Sequence, residues 1–351
     1  MGIELYRRRK SRHYIWLGGL FTLLIVAALF CITNGAISIS PGEFIQTLGE
    51  SGNSLANRVI WHIRLPRLCG AILGGAGFAV AGMALQAILR NPLASPSTLG
   101  ISQGAAFGAA CGIMLLSLQD TSIGTQAVLG SYHPYLISLI AFACSLLTTV
   151  CIVGIASLHN ASREAIVLAG VALSAFFMAG TTVIQYFADE TQLASIVQWT
   201  FGDVGRASWT ELKLIACVVG LGLVYFFSQA LHFNALLAGD DVACSLGVPV
   251  LRLRLTGMVV AALMTSIIVT FFGVISFIGL IAPHMARGVV GEDVRLLMPV
   301  SALTGALLLL VADIAGRMLL APIVLPAGVV TAFMGTPIFL LLLFGGRKLW
   351  K

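Results

Sequence analysis

Few side chains in this sequence are of a kind that does chemistry, and those few are dispersed. Asp313 and Arg317 place an acid and a base at i and i+4, in the order favoured on one helical face, which is the spacing of an ion pair. Arg64 and Arg67 stand three apart in the run RLPR, and Asp240 and Asp241 are adjacent in a short polar stretch. His284 lies in PHMAR without a second His or a carboxylate at metal spacing, so it is expected to be a satisfied corner residue. Cys31, Cys69, Cys111, Cys144, Cys151 and Cys217 sit in or beside apolar runs and Cys244 in a polar one, none at ligand spacing; they read as packing residues with no disulfide. GxxxxGK[ST] and HExxH do not occur, so no catalytic residue and no metal ligand is assigned.

The elements that must carry these residues are membrane helices. The chain has 351 residues, 58% hydrophobic and 10% charged, with a mean hydropathy of +1.00, too apolar for a soluble domain. Apolar runs near the roughly 20 residues of a span occur ten times, at 15–35, 68–89, 98–117, 134–156, 165–187, 210–229, 253–271, 274–288, 297–317 and 325–345, the eighth being short. The expected fold is an all-α polytopic membrane protein, one transmembrane domain over 1–351. Arg7, Arg8, Arg9, Lys10 and Arg12 hold the amino terminus, residues 1–14, in the cytoplasm, and ten crossings bring Arg347, Lys348 and Lys351 to the same side. The first apolar run exceeds the roughly 7–15 residues of a signal peptide and is expected to be retained. A net charge of +6 comes from residues placed where topology wants them, with no basic stripe interleaved with aromatics, which excludes a nucleic-acid partner.

The chain is organised about Leu231 to Leu253, a polar interruption between two apolar halves. Gly239 and Gly247 stop two short helices there, Asn234 to Ala238 and Asp240 to Leu246, and Pro249 blocks continuation. Asp240 and Asp241 fall in a first turn, where acids suit the helix dipole, and Leu236, Leu237, Val242 and Leu246 give each piece an apolar face. Helices so short need a surface to pack on: the protein's own rim, a partner's groove, or lipid headgroups.

Glycines at 70, 74, 75, 77 and 82 in the second span, and at 100, 104, 108 and 112 in the third, predict close helix packing. A faint echo at an offset of 197 pairs Gly82 with Gly279 and fits a duplicated bundle. The turn SLHNASR leads into the fifth span, where Asn160 or Ser162 caps the helix and the polar turn either lines a gate or only connects. Gln192 to Phe201 is expected as an interfacial helix, with Trp199 and Trp209 at the membrane boundary. Arg64 and Arg67, on the outside against the charge bias, either anchor to lipid phosphate or receive acidic groups of an external partner. An ion-driven secondary transporter would need an ionisable residue near mid-membrane, and Asp313 is its single candidate; the adjacent Arg317 favours a structural pair. An intramembrane hydrolase would need a buried Ser with His, or paired Asp residues, in facing spans, and the charged residues for that are not there.

The runs RLPR at 64–67, LRNPLASPSTLGISQGAAFGA at 89–109, VLAGVALSAFF at 167–177, LLAGDDVACSLGV at 236–248, FIGLIAPHMAR at 277–287 and the tail from 309 to 343 stand in one order over nearly the whole chain. In these the sequence resembles the FecCD-type permeases of ABC importers for iron-siderophores, haem and cobalamin. The resemblance implies a cobalamin-permease-like bundle of ten spans, a homodimer or a heterodimer with a related permease, two cytoplasmic ATPase subunits and an extracytoplasmic binding protein. It implies no cofactor on this chain, ATP and Mg belonging to the ATPase, and an iron chelate as cargo. By position, Arg64, Arg67 and Arg317 resemble the arginines that dock the binding protein. Ala238, Gly239, Asp240, Asp241, Ser245 and Leu246 resemble the coupling helices, and Asn160, Ser162 and Arg163 the inner gate.

Overall fold

Helices account for nearly all the regular structure of the computed structural model, which describes residues 2–34, 55–120, 133–158 and 163–345. In chain order they are α1 (Gly2–Thr33), α2 (Leu65–Leu89), α3 (Ile101–Asp120), α4 (His133–Leu158), α5 (Arg163–Phe187), α6 (Glu190–Thr200), α7 (Trp209–Ser228), α8 (Ala230–Ala238), α9 (Asp240–Ser245), α10 (Val250–Phe272), α11 (Ile278–Val290), α12 (Val294–Met318) and α13 (Ala327–Gly345). A short helix (Leu55–Val59) and a π-helical turn (Ile60–Arg64) run directly into α2.

Among the described residues seven helices are long and apolar enough to cross a membrane, and three shorter apolar helices, Ile101–Leu116, Ile278–Val290 and Ala327–Leu341, complete the set. They match the ten expected runs in order. The differences are local. The basic residues before the first run continue its helix from Gly2. The eighth run is helical for only 13 residues, about 20 Å at 1.5 Å per residue, because Gly273 takes φ 78° and the chain stays irregular to Phe277. The expected interfacial helix is α6, started by Asp189, whose carboxylate accepts from the Gln192 amide at 2.8 Å while the Gln192 side chain accepts from the Asp189 amide at 3.1 Å. Ser40, Pro41 and Gly42, which read in the sequence as the start of a short surface helix carrying Glu43, Phe44 and Leu48, lie outside the described residues, as do Asn160 and Ser162.

The core is built around α2, buried along most of its length and packed by α7, α10, α11 and α12. Glycine permits this. A Cβ on Gly75 would lie 2.3 Å from the Gly305 carbonyl oxygen of α12, and one on Gly82 would lie 1.7 Å from that of Gly279 in α11. The backbones touch because no side chain intervenes, which is how helices associate where the surrounding lipid is as apolar as they are. The two glycines linked by the 197-residue echo are thus in contact.

A second group, α3 to α6, leans on this core mainly through α4 and α10. Gly104, Gly108 and Gly112 of α3 face α4, with Cβ positions 2.2 Å from Thr148 Oγ1, 2.6 Å from the Ile140 carbonyl and 3.2 Å from the Ile137 Cα. Gly100, the expected first rung, instead precedes the helix at φ 76° and abuts Gly170 and Ser174 of α5. Helix α5 packs on α3 and more lightly on α4, and leaves Leu168, Phe176, Val183 and Tyr186 exposed.

Candidate functional site

Two ionic clusters sit at opposite ends of α2, each with one aspartate between two arginines. At the Leu65 end, Asp313 of α12 accepts from Arg67 Nε at 2.7 Å, and Arg67 Nη2 reaches Asp203 at 2.8 Å. Arg317, one turn after Asp313, brings Nε to 3.2 Å of Asp313 Oδ2, an ionic contact rather than an aligned hydrogen bond. Its Nη2 lies 3.0 Å from the Cys31 sulfur of α1. The i,i+4 pair expected from the sequence therefore forms, and Arg67 joins it from the other helix. Arg64, 5% exposed, donates to the Ile32 carbonyl at the end of α1. Arg206 caps the carboxyl end of α6 by donating to the carbonyls of Gln198, of Trp199 at 3.0 Å and of Phe201 at 2.9 Å. All three expected docking arginines are thus gathered at one end of the bundle, together with Arg206, Asp203 and Asp313.

At the Leu89 end the polar interruption folds as two short helices, as its glycines dictate. The first is longer than expected, since α8 begins at Ala230 almost directly after α7. Phe233 and Leu236 bury it against the core. Asn234 fastens it to the start of α12: its Nδ2 donates to Asp293 at 2.8 Å and its Oδ1 accepts from the Val294 amide at 2.8 Å. Gly239, at φ 138°, makes a corner that strongly favours glycine, and α9 follows. Only Ala243 of α9 is buried; Asp241, Val242, Ser245 and Leu246 project, Val242 being 44% and Leu246 68% exposed.

Asp240 behaves differently from its neighbour. Its carboxylate turns toward the protein, with Arg163 Nη2 at 2.5 Å from Oδ1 and Arg254 Nη2 at 2.8 Å from Oδ1 and 2.7 Å from Oδ2. Burial alone would push this carboxyl up, but the hydrogen bond and charge of Arg254, followed by Arg163, outweigh it and hold it below the usual carboxylate range. Arg163 is the first residue of α5 and the last of the expected gate turn, so the structure brings the coupling and gate positions together. Arg254, 4% exposed in α10, had no sequence signal beyond its place after Pro249; Asn234 and Asp203 stood in stretches read as polar, but nothing in the sequence pointed to their partners. Beside this cluster a cleft of about 650 Å³ opens between the end of α2 and the start of α5, lined by Leu89, Arg90, Asn91, Pro92, Arg163 and Val167. Among the described residues no three His, Cys, Asp or Glu side chains gather as a metal site requires.

A polytopic bundle with a projecting pair of short helices at one end and an arginine cluster at the other has counterparts. The model of the FecCD transport family matches residues 23–345. A protein of Methanocaldococcus jannaschii assigned as an ABC transporter permease is 47% identical over 348 residues, covering 99% of this chain and 97% of the relative. The hemin transport system permease of Yersinia pestis is 35% identical over 338 residues, 95% of this chain and 96% of the relative. The vitamin B12 import system permease of Salmonella typhimurium is 34% identical over 342 residues, 97% and 98%. A solved inward-facing structure of a metal-chelate type ABC transporter superposes with a TM-score of 0.80 at 28% identity, over 94% of this chain and 98% of that one. The chain therefore belongs to the FecCD transport family, as the permease subunit of an ABC importer.

Proposed function

We propose that this permease carries an iron chelate, in the first place an iron-siderophore, across the cytoplasmic membrane, driven by two cytoplasmic ATPase subunits that seat on α8 and α9. The observation that carries the ATPase seat is the projecting face of α9, where Val242 and Leu246 expose apolar surface around the acidic Asp241, while the cargo follows from the family resemblance. A six-residue helix has no stability of its own, and an exposed apolar face on it calls for a partner's groove. In this arrangement both termini are cytoplasmic, the Asp240 cluster faces the cytoplasm and the Asp313 cluster faces outward. ATP and Mg are held by the ATPase; this chain binds no cofactor and catalyses no reaction. The permease works as a dimer, with a copy of itself or a related chain, and the exposed apolar length of α5 suits that contact.

At the outer end Arg64, Arg67 and Arg317 receive acidic residues of the substrate-binding protein. Among the described residues Arg206 lies with them and Asp203 and Asp313 face them, an arginine-rich neighbourhood that supports this reading. The turn ending at Arg163, with Asn160 and Ser162, gates the path at the inner end. Asp313, the carboxylate that an ion-driven carrier would require, is held by Arg67 and Arg317, which disfavours that alternative.

The test is purification of the tagged chain from native membranes in mild detergent, then reconstitution with whatever ATPase and binding protein accompany it, and uptake of a radiolabelled ferric siderophore. A stoichiometric ATPase and uptake that requires ATP are the expected results. A chain that purifies alone and moves solute on an ion gradient overturns the importer reading, and ATP-driven uptake of haem or cobalamin in place of the siderophore overturns the cargo.

A further inference from the structure

We propose that Asp240 is an exchange latch: it carries motion of the two short helices into α5 by passing between a shared grip, held by Arg163 and Arg254 together, and a grip by Arg254 alone. This rests on the assignment of α8 and α9 as the ATPase seat. It separates two adjacent aspartates that the sequence leaves equivalent, Asp241 as part of the docking face and Asp240 as the transmitting group.

The geometry of Arg254 points to the exchange. Its Nη2 alone serves both oxygens of Asp240, while its Nε is buried and meets no acceptor among the described residues. An arginine and a carboxylate pair best side by side, through two parallel N–H···O bonds. Here the second bond is unmade and Arg163 takes Oδ1 as well. If Asp240 turns fully onto Arg254, Nε gains an acceptor and Arg163 is released. One charge-assisted bond replaces another, and an exchange of that kind is what a small displacement can select.

The surroundings agree. Arg254 is 4% exposed in α10 and cannot follow the short helices, so it serves as the fixed post. Asp240 begins α9 just past the corner at Gly239, whose φ of 138° marks where the two short helices change direction. Arg163 begins α5, which packs on α3 and α4 rather than on α2 or α10, and the cleft of about 650 Å³ separates its start from the end of α2. Among the described residues the Arg163 to Asp240 bridge thus ties the start of α5 to the short helices, and opening it loosens that tie.

The experiment uses the complete transporter in proteoliposomes and reads three quantities: ATPase retained per permease, ATP hydrolysed, and cargo transported per ATP. Arg163→Gln is expected to keep the ATPase bound and hydrolysing while transport per ATP falls about tenfold, within the usual span of a coupling free energy. Arg163→Lys, which retains the charge, is expected to recover part of the loss, and Arg163→Gln is expected to unfold at the parent's temperature, which a merely structural role would lower. Leu246→Glu, on the docking face, is expected instead to lose the ATPase from the complex. Unchanged transport per ATP in Arg163→Gln overturns the latch, and so does loss of the ATPase in that variant, which would make the pair part of the docking surface. Failure of the parent chain to hold any ATPase is a separate outcome and overturns the reading on which the latch rests.

Discussion

The two clusters at the ends of α2 share a motif, one aspartate between two arginines, and have opposite surroundings; at the outer one Arg67 reaches Asp203 as well. Asp313 is 1% exposed, and Arg67 and Arg317 close over it between α2 and α12, helices whose backbones already touch at Gly75 and Gly305. Asp240 is partly open to solvent, and only Arg254 of its two partners is buried. The same charges therefore do different work. Inside a close-packed crossing, an enclosed aspartate between two arginines acts as a weld. At a rim beside an open cleft, where one partner stands on a separately packed helix, it can change hands.

The largest expected effect tests the weld. Asp313→Ala leaves Arg317 buried without its counter-charge and Arg67 with Asp203 alone, and breaking a buried pair this way costs about 3–5 kcal/mol. The variant should lose most of its folded yield in detergent, measured by size-exclusion profile and thermal unfolding. If Asp240→Ala proves equally destructive, the contrast between weld and latch collapses. The expectation for Asp240→Ala is a stability loss of only about 0–1 kcal/mol, since its pairs are partly solvated and screened, together with defective transport per ATP.

An intermediate effect concerns the packing that makes the weld rigid. Gly75→Ala puts a methyl group 2.3 Å from the Gly305 carbonyl oxygen, and the helices must separate. Overpacking of this kind costs about 1–3 kcal/mol and should lower the unfolding temperature while leaving the Asp240 cluster intact. Equal loss in transport per ATP at unchanged stability would show instead that the central crossing moves during transport.

The smallest effect is in pH. Because Arg254 and Arg163 hold the Asp240 carboxyl below its ordinary value, the cluster's contribution to stability is fully present above the unfolded carboxylate pKa of about 3.9 and is lost as pH falls through the lower folded value. Hydrogen exchange of residues 240–246, corrected for intrinsic rates, should thus show constant protection from pH 7 to about 5. Loss of protection already near pH 6 would implicate a histidine instead of this aspartate.

Much of the architecture was legible along the chain. Hydropathy located all ten helical runs, and Gly239, Gly247 and Pro249 located the two short helices, because a span and a helix stop are decided by residues within a few positions of each other. The pairing of Asp313 with Arg317 was equally local, four residues apart on one face. What the sequence showed less well was where helix gives way to irregular backbone. The eighth run reads as short already, but that its helix starts only at Ile278 follows from the φ of Gly273 and from the close approach of Gly202 and Gly328 to the Val274 carbonyl.

The sequence by itself determined the class of the protein, the number and order of its helices, the polar joint between its halves and the family whose motifs it carries. Only the tertiary structure decided which charge answers which: Arg67 meets an aspartate 246 positions away, and Arg163 meets one 77 positions away. It also decided that Asp240 faces inward while Asp241 faces out. The physical reason is range. Hydropathy and helix stops act through neighbours along the chain, whereas an ion pair in an apolar bundle forms wherever packing brings two desolvated charges together, and that depends on which helices cross and how closely their glycines let them approach.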